Sequence, residues 1–216
     1  MNDSNPPDNK TEEKPRLNQR KKPKNAQKTK KTPRKITERY LRNSGAFYLQ
    51  RFTASSGHFK SVMSRKIKRS CHVHTDQDYE ECLTFLDKVT ADFLEQGLLD
   101  DDGYLRGMVT SLRRSGKSKK AIMAKLTQKR VPASDIETAI QNFDTENEQD
   151  SNEAEFFAAL KFARKKRLGP YDERQKYDDN KALNVFARNG FNYNTARRVM
   201  NLDNDELYEA EHQTKY

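Results

Sequence analysis

Apolar residues recur at helical spacing along most of this chain, and residues 99–143 show the pattern most completely. Apolar side chains three and four positions apart predict three short helices in this stretch. A cluster of aspartates and Ser118 can cap the first two helices, which end near Gly116 and Pro132. Ser134 lies three residues before a glutamate, the spacing of a capping box for the third helix. The stretch therefore predicts a unit of three helices.

The segments on either side repeat this organisation. Residues 36–52 predict a helix with Phe47 and Phe52 on its apolar face, and helices capped at Ser55 or Ser56 and near residue 77 follow it. An offset of sixty residues also superposes apolar positions of the last two units. The coinciding pairs are Met123 with Leu183, Leu126 with Phe186, Val131 with Phe191, Ala139 with Val199 and Ile140 with Met200.

The predicted fold is all-α, with three tandem three-helix repeats in an elongated, curved array. The predicted segments are a disordered Lys-rich tail (1–35), repeat 1 (36–98), repeat 2 (99–143), an acidic linker (144–153), repeat 3 (154–205) and a C-terminal tail (206–216). The tail can contact nucleic acid or simply aid solubility.

Composition agrees with a thin helical array, because 33% of the residues are hydrophobic and 34% are charged. The charge is uneven, since residues 1–35 carry 12 Lys/Arg and 4 Asp/Glu, a net charge of +8. Two cysteines are too few for a disulfide framework, and there is no signal-like or membrane-spanning apolar run. We therefore expect a cytoplasmic protein that is a monomer and contacts no membrane.

Candidate binding residues come from basic helix faces. No acidic residue lies between Gly103 and Ser134, and none lies between Thr53 and Thr75. An unmixed basic face either binds an anion or is offset by a neighbouring acidic helix, here residues 76–102. The candidates are Lys60, Arg65, Lys66, Arg69, Arg106, Arg113, Arg114, Lys117, Lys119, Lys120, Lys125, Arg164, Lys165, Arg197 and Arg198.

No arrangement of residues predicts an enzyme. The acids lie in blocks on polar faces, and no glycine-rich turn follows a strand. Cys71, His72, His74 and Asp76 are close in sequence, yet a structural zinc site usually needs two separated pairs of ligands. We therefore expect no catalytic residue, no metal and no cofactor.

Residues 36–202 resemble the RecX family of bacterial RecA regulators. The resemblance is carried by an acidic cap, an aromatic residue, an R-x-x-G segment, an apolar-x-x-x-L helix and a K-x-V turn in the right order. These are Asp101 and Asp102, Tyr104, Arg113 with Gly116, Ile122 with Leu126, and Lys129 with Val131. The segments ALNVFARNGFNYNTARRVM and AFYLQRFTASSGHFKSVMSRKI are similar to the family's closing and first units.

The resemblance implies a non-enzymatic regulator that lies along the RecA–DNA filament and mainly inhibits its recombinase, ATPase and co-protease activities. It also implies contact with single- or double-stranded DNA. Two other interpretations stay open: a DNA- or RNA-binding helical protein without a recombinase partner, and an adaptor whose basic faces are merely solvated. The charge alone fits all three.

Overall fold

The computed structural model describes residues 32–147 and 149–213, and this part of the chain is helical without a strand. The all-α prediction is confirmed. Nearly all of the predicted tail lies outside the described residues. The α-helices are α1 (Glu38–Leu49), α2 (Ser56–Val73), α3 (Tyr79–Glu95), α4 (Asp101–Arg114), α5 (Lys119–Thr127), α6 (Ala133–Glu146), α7 (Ser151–Lys166), α8 (Asp179–Arg188), α9 (Tyr193–Met200) and α10 (Asn204–Gln213), with a 3₁₀ helix at Gly169–Tyr171.

These helices pack as three consecutive groups, each around its own set of buried apolar side chains. Helices α1–α3 enclose Phe59 and Phe93, α4–α6 enclose Val109 and Ile122, and α7–α9 enclose Phe186. Helices α5 and α8 begin sixty residues apart, as do α6 and α9. The grouping agrees with the spacing of the predicted repeat, while the number of repeats and their curved array stay predictions.

Short polar side chains cap the second helix of each group, and the sequence predicts the two serine caps. The Ser55 hydroxyl accepts a hydrogen bond from the His58 amide at 3.2 Å, and the Ser118 hydroxyl accepts one from Ala121 at 3.1 Å. Asp178 does the same for α8. Each cap satisfies an amide that the helix itself leaves unpaired.

The capping box at the start of α6 is wrong. Helix α6 begins at Ala133 after Pro132, and no side chain caps it. The Ser134 hydroxyl instead donates to Asp135, and Glu137 pairs with Lys119 of α5. Pro132 has no N–H and a φ of −58°, so it can stand directly before the first helical residue without a side-chain cap.

Three segment boundaries also differ from the prediction. The acidic linker 144–153 is short, because α6 continues to Glu146 and α7 begins at Ser151. The predicted C-terminal tail contains α10, whose Ala210 is buried against the third group. Polar composition hides α10, since Ala210 is its one buried residue.

The end of the predicted tail is packed against the first group. The carbonyl of Arg34 accepts a hydrogen bond from the Ser70 hydroxyl at 2.8 Å, and the carbonyl of Pro33 lies 2.8 Å from His74 Nε2. Lys35 pairs with Asp76. Residues 33–35 therefore belong to the folded part, and the predicted boundary at residue 35 is wrong by these residues.

Successive groups meet through two matching hydrogen bonds. The hydroxyl of Ser55 donates to the Lys129 carbonyl at 2.9 Å, and the hydroxyl of Ser118 donates to the Asn189 carbonyl at 2.6 Å. Both serines cap a second helix, and both carbonyls lie in the loop after the second helix of the next group. The residue after each carbonyl has a positive φ, of 62° and 88° respectively.

We call these two contacts between successive groups the joints. An acidic side chain from the next group adds a further hydrogen bond at each joint. Asp101 of α4 accepts the Ser56 amide at 2.6 Å, and Glu155 of α7 accepts the Lys119 amide at 3.0 Å. In both cases the amide belongs to the first helical residue of α2 or α5, where an anion is favourable. The two joints thus use the same chemistry.

Gly45, in the middle of α1, permits the closest contact of the first group. The sequence marks it as a weak point of the helix, but it is buried where α1 crosses two aromatic rings. An added Cβ would lie 2.7 Å from Phe59 Cζ and 2.9 Å from Phe93 Cε2. The helix therefore accepts a poor helix former so that the two rings can approach its backbone.

We expect Gly45→Ala to lower the free energy of unfolding by about 1–3 kcal/mol, because overpacking outweighs the gain in helix propensity. Gly107→Ala in α4 is the matched control, since its Cβ meets nothing within 4 Å. The control should be neutral or stabilised by up to about 1 kcal/mol. Urea unfolding followed by circular dichroism measures both, and equal stabilisation of the two variants would contradict the packing argument.

Candidate functional site

Arg113 lies inside the protein between the second and third groups. Its side chain is 3% exposed, Nη2 donates to Asp144 Oδ2 at 2.8 Å, and Nη1 donates to Glu155 Oε2 at 2.8 Å. The triad joins α4, α6 and α7. The prediction that Arg113 faces a binding partner is therefore wrong, because the planar guanidinium is used to hold two carboxylates.

Burial of the triad has an electrostatic cost that its members only partly offset. Burial raises the pKa of Asp144 above its usual value, and the attraction of Arg113 opposes this shift. Arg113 Nε and Asp144 Oδ1 have no hydrogen-bond partner among the described residues. Gly116 brings the following loop against α7, since an added Cβ would lie 2.9 Å from the Phe162 amide nitrogen.

We expect Arg113→Ala to lower the free energy of unfolding by about 3–5 kcal/mol, because two carboxylates would stay buried without a counter-charge. Arg114→Ala is the matched control, since this adjacent side chain is exposed and should change stability by about 0.5 kcal/mol or less. Urea unfolding measures both. A small effect of Arg113→Ala would show that the triad does not fix the joint.

The buried triad separates Arg113 from the other predicted basic residues near Gly116, which are Arg114, Lys117, Lys119 and Lys120. Lys119 is tied to α6 and α7, through a 2.8 Å ion pair with Glu137 and its amide contact with Glu155. The acids that offset this part of the cluster thus come from α6 and α7, and not from residues 76–102 as one alternative predicts. Arg114, Lys117 and Lys120 form no ion pair within the described residues.

The other candidates fall into two sets. Five of them have a partner: Lys60 with Asp87 at 2.8 Å, Arg197 with Asp179 at 3.1 Å, Arg164 with Glu211 at 3.6 Å, Lys66 with Ser44, and Arg198 3.8 Å from the centre of the Phe156 ring. The exposed candidates with no ion pair in residues 32–147 and 149–213 are Arg65, Arg69, Arg106, Lys125 and Lys165. These exposed cations are available to an anionic partner.

An outward surface of α4, which we call the α4 face, carries two of these cations. Arg106 and Arg114 line a shallow depression, together with Gly103 and Gly107. Lys161 of α7 lies close by, since it lines a small pocket together with Arg114. Burial lowers the pKa of Lys161, and the charge of Arg114 lowers it further. Lys161 is not among the predicted candidates, and the available signal was a single cation within the otherwise apolar stretch 156–163 of α7.

An apolar groove adjoins the α4 face and shares two glycines with it. The groove has a volume of about 480 Å³, and its lining includes Leu49, Phe52, Leu98, Tyr104 and Met108, beside Gly103 and Gly107. Phe52 is 56% exposed and Leu98 is 51% exposed. The prediction that Phe47 and Phe52 complete a core face is wrong, because both rings are more than half exposed.

A second basic cluster lies at the joint between the first two groups. We call it the α2 cluster, and it contains His58, Arg65 and Lys129. Lys129 Nζ is 3.5 Å from His58 Nε2. Burial lowers the pKa of His58, and the charges of Lys129 and Arg65 lower it further. Tertiary packing thus adds Lys129 to the predicted basic residues of α2.

The cysteines and histidines of the described residues lie at or near helix ends. No group of three His, Cys, Asp or Glu residues in the described part of the chain could hold a metal ion. Cys71 and His72 belong to the last turn of α2, while His74 and Asp76 contact residues 33–35. None of the helices in residues 32–213, apart from the gap at 148, is long and apolar enough to cross a membrane.

Comparison with known proteins places the chain in a family. No family model matches it. Regulatory protein RecX of Myxococcus xanthus (strain DK1622) is 33% identical over 177 residues, which cover 79% of this chain and 89% of that protein. The chain belongs to the RecX family. Regulatory protein RecX of Agrobacterium fabrum (strain C58) is 29% identical over 176 residues, covering 77% and 85% of the two chains.

Solved RecX structures have the same fold. The crystal structure of RecX from Lactobacillus salivarius superposes with a TM-score of 0.53 at 15% identity, covering 80% of this chain and 97% of that one. A crystal structure of regulatory protein RecX gives a TM-score of 0.52 at 19% identity, covering 76% and 72%. At these identities the likeness supports the fold alone.

The residues that carry the RecX resemblance are mainly structural. Arg113 forms the buried triad, Gly116 permits close contact with α7, and Ile122 and Leu126 are fully buried. Lys129 contributes its carbonyl to the first joint. The resemblance therefore lies mainly in residues that hold the helix groups together, and not in the exposed basic surface.

Proposed function

We propose that this protein regulates a RecA-type recombinase by binding its filament on DNA, and that it mainly inhibits recombination, ATP hydrolysis and co-protease activity. The observation that carries the proposal is its 33% identity with a RecX regulatory protein across most of both chains. The protein acts by binding and not as an enzyme. Its place of action is the cytoplasm, where the recombinase filament forms.

The α4 face and the adjoining groove form the proposed recombinase contact. Exposed apolar side chains grouped beside unpaired arginines are typical of protein interfaces. Phe52 and Leu98 supply the apolar part, while Arg106 and Arg114 supply charge. Gly107 leaves the helix backbone open to close approach, because nothing lies within 4 Å of its Cβ position.

The remaining unpaired cations act through longer-range electrostatics. The candidates away from the α4 face are Arg65, Arg69, Lys117, Lys120, Lys125 and Lys165. A filament with DNA phosphates in its groove has a negative field, and exposed cations raise the rate of association with it. Salt screens such charges, so inhibition should weaken as ionic strength increases.

The proposal is tested by titrating the protein into DNA-stimulated ATP hydrolysis by its cognate RecA-type recombinase. We expect Arg106→Gln with Arg114→Gln to raise the concentration needed for half-inhibition by about fivefold or more, because two charges are lost at the contact. The melting temperature should stay nearly constant, since exposed charges contribute about 0–1 kcal/mol to folding.

Arg39→Gln with Lys88→Gln is the control, because it removes two exposed cations from α1 and α3. It also removes the exposed ion pair of Lys88 with Glu38 at 3.0 Å, which should change stability little. It should inhibit at the wild-type concentration. Equal inhibition by all three proteins would remove the α4 face from the proposed contact. No inhibition by the wild-type protein would refute the proposed function itself.

The same assay separates filament binding from simple competition for DNA. A regulator that binds the filament should inhibit below one molecule per recombinase subunit, and excess DNA should not restore activity. Inhibition that disappears in proportion to added DNA would favour the alternative of a DNA- or RNA-binding protein without a recombinase partner.

A further inference from the structure

A basic cleft lies at the end of α7, next to the candidates Arg164 and Lys165 but lined by other residues. It has a volume of about 380 Å³, and we call it the α7-end cleft. Its cations are Lys166 and Arg167 from the end of α7, and Arg174 and Lys176 from the loop that follows.

The loop is folded in a defined way that brings its cations to the helix end. The Asp172 carboxylate accepts the Tyr177 amide at 2.9 Å, and the Asp172 carbonyl accepts the Gln175 amide at 3.0 Å. Before the loop, the Tyr171 hydroxyl donates to Glu211 of α10 at 2.9 Å. These contacts fix both ends of the segment that carries Arg174 and Lys176.

The cations of the cleft are not neutralised within the described part of the chain. None of the four forms an ion pair with a carboxylate within 4.0 Å there. Asp172 and Glu173 also line the cleft, but the lining still has an excess of positive charge. Backbone hydrogen bonds from Lys176 and Tyr177 lower the pKa of Asp172, so its carboxylate is committed to holding the loop.

Helix stability explains only part of this arrangement. Cations in the last turn of a helix interact favourably with its unpaired carbonyls, which accounts for Lys166 and Arg167. Arg174 and Lys176 follow the 3₁₀ helix and belong to no helix end. Their convergence on the same cleft therefore indicates an anionic ligand.

Tyrosine rings in the cleft indicate which anion. Tyr171 and Tyr177 line it, and Lys176 Nζ lies 5.4 Å from the centre of the Tyr177 ring. Cations beside an aromatic ring are the combination that binds single-stranded nucleic acid, with phosphates on the cations and a base on the ring. The volume is also within the range of ligand clefts.

We propose that the α7-end cleft binds single-stranded nucleic acid, with phosphates on Arg174 and Lys176 and a base stacked on Tyr177. This site is separate from the α4 face and does not depend on a recombinase. It gives the third helix group a binding activity of its own.

The test uses the full chain and a labelled thymidine oligonucleotide of about fifteen nucleotides, with affinity measured by fluorescence anisotropy at several salt concentrations. Arg174→Gln with Lys176→Gln should reduce the slope of log K against log salt by about 0.7 for each lost phosphate contact. The control Arg39→Gln with Lys88→Gln should keep the wild-type slope. Equal slopes for the two double variants would overturn the proposal.

A second arm tests the base. Tyr177→Leu should weaken binding about fivefold or more with an unchanged slope, while Tyr177→Phe should bind as the wild type does. With an abasic oligonucleotide of the same length, Tyr177→Leu should have no effect. Melting curves confirm that each variant is folded. An effect of Tyr177→Leu that is equal on both oligonucleotides, or absent on both, would overturn the assignment of a stacked base.

Discussion

The buried triad of Arg113, Asp144 and Glu155 is the interaction on which the arrangement of the second and third helix groups depends. It joins one helix of the third group to two of the second, in a place where the Arg113 side chain is only 3% exposed. A buried ion pair gains little over an apolar contact, because removing charges from water is costly. Its value lies in geometry, since the planar fork of N–H groups donates to two carboxylates in a fixed arrangement.

The triad also explains how the binding surface is oriented. Successive residues of an α-helix point about 100° apart, so an inward Arg113 leaves Arg114 directed outward. Arg114 then lies beside Lys161 of α7 because the triad holds α7 against α4. Positive charge from the second and the third helix group, which are far apart in sequence, therefore meets beside the α4 face.

The capping serines also form the contacts between successive helix groups. Ser55 and Ser118 each accept an amide of their own helix and donate to a carbonyl of the next group. One hydroxyl thereby pairs a free amide at its own helix start and also joins two groups. Because such contacts use backbone atoms, the exposed side chains around them stay free to vary, and basic surfaces such as the α2 cluster and the α7-end cleft can form on the same scaffold.

The sequence by itself determined the helices, most of their caps and the family, because apolar spacing and capping are local properties of the chain. It could not determine which cations are exposed. Arg113 and Arg114 are chemically alike and adjacent, and only carboxylates 31 and 42 residues away place one of them inside. Phe47 and Phe52 belong to an apolar pattern, yet both rings are more than half exposed, and α1 ends at Leu49, before Phe52. Burial depends on partners from distant segments, so the tertiary structure alone decided which residues of each helix form the binding surface.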